Sequence, residues 1–160
     1  MATSMSEATQ WLEVVKTEEI AAPMDLVFET LLEHLGPLNE GAPGAPLHMR
    51  LEAWPGGRWY RDLGNNTGHL WGHVQVIKPP TLLEICGPLM MSYPAANHLQ
   101  YRFKAEGGVT RLTFLHRAMG LILPEHRDGM PEGWEHKLEH IRAIAERKAD
   151  SGRKNRKATT

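Results

Sequence analysis

The chain has 160 residues and a mass of 18.0 kDa, a length that fits one domain. Its 41% hydrophobic and 23% charged residues exclude a disordered composition, and 18 basic against 19 acidic residues argue against general nucleic-acid binding by the whole domain. A single cysteine, Cys86, excludes an intrachain disulfide and any cluster held by cysteines alone.

Residues 1–10 are small and polar, without the basic start and apolar run of a signal peptide, and read as disordered. Residues 11–149 form the single domain. Residues 11–20 carry Trp11, Val14, Val15 and Ile20 and predict a first strand. Pro23 then sits at a favoured first-turn position. Met24, Val27, Phe28, Leu31 and Leu32 follow at helical spacing, so residues 23–34 predict a short amphipathic helix ended by Gly36-Pro37. Residues 36–46 are rich in glycine and proline and read as a loop.

Six strand-like pieces follow, at residues 47–53, 57–63, 69–77, 82–86, 98–105 and 109–118. The turns between them are short and include Pro55-Gly56-Gly57, Pro79-Pro80 and Gly107-Gly108. Short connections predict an antiparallel meander, because parallel pairs need a dozen or more connecting residues. The charged stretch 125–129 reads as a loop beside the mouth of a cavity. A last helix is expected to open at Pro131, with Trp134, Leu138, Ile141 and Ala145 on one stripe, and to run to about residue 148. Residues 150–160 form a basic tail with no apolar residue larger than alanine and read as disordered. The fold class is α+β: a curved antiparallel sheet of about seven strands around one long carboxy-terminal helix. A sheet bent around a single helix leaves room for an apolar cavity between them.

Chemistry-bearing residues are few. His136 and His140 stand four apart on the last helix, the spacing of two metal ligands on one face, but they fall away from the Trp134 stripe. His69, Trp71 and His73 share one strand face, opposite Val74 and Val76. If the valines face inward, those three side chains face out. In 109–118, Thr110, Leu112, Phe114 and His116 share the face expected to be concave, which places one imidazole inside. Leu99, Tyr101 and Phe103 on the preceding strand are expected to pack beside Leu112 and Phe114. Cys86 lies in an apolar run and reads as a small buried hydrophobe. No metal site and no cofactor is implied.

Together the elements resemble the START-like (SRPBCC) superfamily, the helix-grip fold, and within it the homologues of the activator of the heat-shock-protein-ninety ATPase. The likeness rests on Ile20-Ala21-Ala22-Pro23 with Val27-Phe28, Gly56-Gly57-Arg58-Trp59, and Gly72-His73-Val74 with Ile77-Lys78-Pro79-Pro80. It rests also on Gly107-Gly108-Val109-Thr110-Arg111-Leu112-Thr113-Phe114 and on Gly133-Trp134 with Leu138. The resemblance implies the helix-grip fold and a hydrophobic cavity; it implies no single reaction.

The leading expectation is therefore a small ligand-binding protein whose walls include Tyr101, Phe103, Leu112, Phe114, His116, Trp134 and Leu138, and whose ligand is an apolar or aromatic small molecule. A second is a cyclase- or hydrolase-like enzyme with His116 as base and Tyr60 or Tyr101 as its partner. A third is a chaperone-interaction module acting in a stress response. A homodimer through an edge strand or through residues 87–97, no specific nucleic acid, no membrane span and a cytoplasmic location complete the expectations.

Overall fold

The computed structural model describes residues 8–41 and 44–159, so most of the amino-terminal segment expected to be disordered lies outside the described residues. Strand β1 (Gln10–Ile20) leads through Ala22-Pro23 into helix α1 (Met24–Leu35). Strands β2 (Met49–Leu51), β3 (Arg58–Asp62), β4 (Gly68–Lys78), β5 (Leu82–Gly87), β6 (Ala95–Glu106) and β7 (Val109–Gly120) follow, and helix α2 (Pro124–Ala158) closes the chain. The sheet order is β1-β7-β6-β5-β4-β3-β2, and each pairing is antiparallel. This is the seven-stranded α+β helix-grip arrangement that the element order implies. Among the described residues no helix is long and apolar enough to cross a membrane.

Strict alternation builds the inner face of the central strands. In β7, Thr110, Leu112, Phe114, His116 and Ala118 are buried while Arg111 and Arg117 are exposed. The register sets Tyr101 opposite Phe114 and Phe103 opposite Leu112, with the Tyr101 and Phe114 rings 4.9 Å apart. Helix α2 lays Met130, Trp134, Leu138, Ile141 and Ala145 onto this face, and Trp134 meets Phe114 at 4.6 Å between ring centroids. Helix α1 closes one end of the same core with Val27, Phe28, Leu31 and Leu35.

Four details depart from the sequence reading. Helix α2 begins at Pro124, so Pro131 lies inside it and residues 125–129 are helical. A proline seven residues into a helix removes one backbone bond, yet the Met130–Ala145 stripe holds the rod in place by tertiary packing. The same helix runs past residue 148 to Ala158, where its residues are mostly exposed. Cys86 is exposed, because Leu83 and Ile85 take the inner face of β5. Trp71, finally, is buried on the core side together with Val74. The register of β3 and β4 slips between Trp59 and Tyr60, from a Trp59–Gly72 pair to a Tyr60–Leu70 pair, which leaves Trp71 as the extra residue of a bulge. The bulge turns the Trp71 indole inward, while His73 stays exposed.

Candidate functional site

Of the seven expected wall residues, all are buried, but they do not surround one large cavity. Leu112, Phe114 and His116 are fully buried, and Phe103 borders a separate open pocket of about 540 Å³ with Leu82, Lys104 and Thr113. Tyr101, Trp134 and Leu138 border a narrow hollow of about 20 Å³ between sheet and helix, shared with Trp59, Trp71 and Lys137. That volume holds about one water molecule. A wider crevice of about 220 Å³, which shares Met90, Trp134 and Lys137 with the hollow, runs along the amino-terminal half of α2. Its walls are Met90, Met130, Trp134 and Lys137, with Gly129 and Gly133 between them and Glu125 and His126 at one end. Beyond Gly133 and Lys137 lies an open basin of about 660 Å³, bordered by His34, Glu40, His136, Glu139 and His140. Lys137 borders all three spaces and Trp134 two of them.

His116 is a linking group rather than a free base. Trp134 Nε1–H donates to its Nδ1 at 2.9 Å. Its Nε2–H donates to Asn97 Oδ1 at 2.8 Å, and the Asn97 amide in turn donates to the Pro88 carbonyl at 3.2 Å. Both ring nitrogens are occupied and the tautomer is fixed. Burial holds the imidazole neutral, with a pKa pushed down to about 4, and His98 adds a little to the same effect. Neither expected tyrosine partner meets it: Tyr60 stacks under the Arg58 guanidinium at 4.7 Å, and burial raises the Tyr101 phenol well above its ordinary value.

Three arrangements carry no clear sequence signal. His34, buried on α1, approaches His140 with Nε2 and Nδ1 3.3 Å apart. Its pKa is pushed down to about 4, chiefly by burial and then by the charge of Lys137. Among the described residues no three metal-binding side chains converge, so His136 and His140 gain no third ligand there. Tyr93 stacks on His126 and bonds its ring nitrogen, while the Leu123 amide donates to the Tyr93 hydroxyl at 3.4 Å. The connection after β5 thus pins the start of α2. Last, the Trp71 indole N–H is buried without a partner at the hollow, with the residue 7% exposed. An orphaned buried donor costs about 1–3 kcal/mol unless water or a ligand meets it.

The solved structures similar to this chain share its fold. An uncharacterised protein from Rhizobium leguminosarum is 19% identical, with 88% of this chain and 97% of that chain covered and a TM-score of 0.68. Mll3558 from Rhizobium loti is 18% identical over 85% and 98% of the two chains, with a TM-score of 0.67. CalU16 from Micromonospora echinospora is 18% identical over 88% and 84%, with a TM-score of 0.59. No curated protein matches the sequence. The family described as Activator of Hsp90 ATPase homolog 1-like protein matches residues 21–146, most of the two-helix, seven-strand body. The chain therefore belongs to the Activator of Hsp90 ATPase homolog 1-like family.

Proposed function

We propose that this protein binds a small apolar molecule in the crevice between α2 and the connection that follows β5. The observation that carries the reading is the pair Gly129 and Gly133. They lie one turn apart inside α2 and line the crevice together. A Cβ at either position would meet open space, so packing does not demand glycine. Each costs the helix about 1 kcal/mol relative to alanine, and what the two share is the gap they leave above the helix. Met90 and Met130 give that gap pliable walls, and Trp134 gives it an aromatic floor. The crevice supplies a binding surface; His116, with both nitrogens occupied, supplies no base to it.

Titration with the neutral dye Nile red tests the reading. We expect a saturable, blue-shifted emission from the wild-type protein. Gly133→Leu fills the crevice from a position with open space above it, so it should fold and weaken dye binding at least about tenfold. No saturable signal, or equal binding by folded Gly133→Leu, overturns the proposal.

A further inference from the structure

We infer that the ligand of this crevice is an apolar acid, whose carboxylate or similar anionic head is received by Lys137 at one end while its apolar body lies over Trp134, Met90 and Met130. The inference rests on the crevice reading above and adds the head-group chemistry.

Lys137 borders the narrow hollow, the apolar crevice and the open basin alike. Its ammonium is held by two uncharged acceptors, Asn39 Oδ1 at 2.8 Å and the Glu40 carbonyl at 3.2 Å. An ammonium has three N–H donors, so one remains. Eleven ion pairs form among the described residues, and Lys137 is in none of them. Burial penalises its charge and lowers its pKa, with the Glu40 carboxylate opposing that effect from a distance. A part-buried cation held only by neutral oxygens gains most from an incoming anion, since charge-assisted hydrogen bonds are about twice as strong as neutral ones.

The neighbouring groups fit the same assignment. Glu125, the carboxylate that borders the crevice, lies twelve residues earlier on α2, about 18 Å along the helix axis from Lys137. The repelling charge and the attracting one thus stand at opposite ends of the crevice's run along α2. At the adjoining hollow, which His34 and Asn39 also border with their own hydrogen-bond partners, Trp71 carries a buried indole N–H without one, also a donor. Two donors with an unfilled hydrogen-bonding capacity call for an acceptor-rich head group. Glu40 and Glu139 border the open basin and stand toward water rather than in the apolar crevice.

Calorimetric titration of the full chain with octanoate and with octanol, at neutral pH, tests this directly. We expect octanoate to bind about tenfold more tightly than octanol. Lys137→Met should erase that preference, bringing octanoate to the affinity the same variant shows for octanol, and Lys137→Arg should keep it. Should Lys137→Met fail to fold, Lys137→Gln serves the same comparison, and the wild-type preference stands as a test in itself. Equal binding of the two probes by the wild type, or an octanoate preference that survives in folded Lys137→Met or Lys137→Gln, overturns the inference and leaves the crevice reading intact. Binding of neither probe overturns both.

Discussion

At the scale of single residues, the most consequential side chain is His116. A neutral imidazole with one donor and one acceptor joins α2 to the sheet through Trp134 on one side and Asn97 on the other. Protonation would put a second donor against the Trp134 N–H and break the link. The folded pKa of about 4 lies below the unfolded value near 6.5. The unfolded chain therefore binds the proton first, and the stabilisation present above pH 6.5 is lost as pH falls toward 4. His34, also held neutral at about 4, acts in the same direction. In urea titrations, the stability advantage of wild type over His116→Gln should shrink by about 2 kcal/mol between pH 7 and pH 5. A difference constant across that range would mean that His116 is not held neutral by the fold. The strand alternation that put His116 on the inner face was legible in the sequence. Its partners were not: Asn97 precedes the expected start of its strand, and Trp134 is far along the chain.

Elements show where pattern stops informing. The seven strands and the Trp134–Ala145 stripe follow from alternation, turn residues and helical spacing, because their inner faces are mostly apolar. The crevice escaped that reading because it depends on interruptions. Pro131 resembles a helix start, so the turns before it, with Gly129, read as a loop. Trp71 reads as outward because nothing in residues 68–78 announces a bulge. The bulge is held from the far side. Leu89 N–H donates to the Trp71 carbonyl at 2.8 Å, and Gly87 passes so close that a Cβ there would lie 2.4 Å from the same carbonyl oxygen. Gly87 also has φ +156, which side chains rarely adopt. Gly87→Ala should therefore push β5 from β4 and destabilise the protein by at least about 2 kcal/mol, read as a shift in urea midpoint. A midpoint unchanged in Gly87→Ala would show that the bulge tolerates rearrangement.

For the molecule as a whole, the governing fact is a mismatch of lengths. Helix α2 has 35 residues and is about 52 Å long, whereas the 12-residue strands β6 and β7 span about 40 Å. The sheet cannot cover the entire rod. The buried stripe stops at Ala145, with Ala149 partly packed against the core, and the helix continues to Ala158 through Arg153, Lys154, Arg156 and Lys157. Sequence showed the basic character of this end and the absence of anything apolar to bury. It gave no stop signal, since neither proline nor a well-placed glycine cap closes the helix, and helical propensity carries the backbone on past the body. The physical expectation is the same for a helical or a frayed overhang: what is not packed against the sheet contributes little to global stability. Removing residues 151–160 should leave the melting temperature within about 2 °C of the full chain and leave Nile red binding unchanged, because the crevice lies at the other end of α2. A fall of more than about 5 °C would mean that the basic end packs on the body and belongs to the cooperative unit.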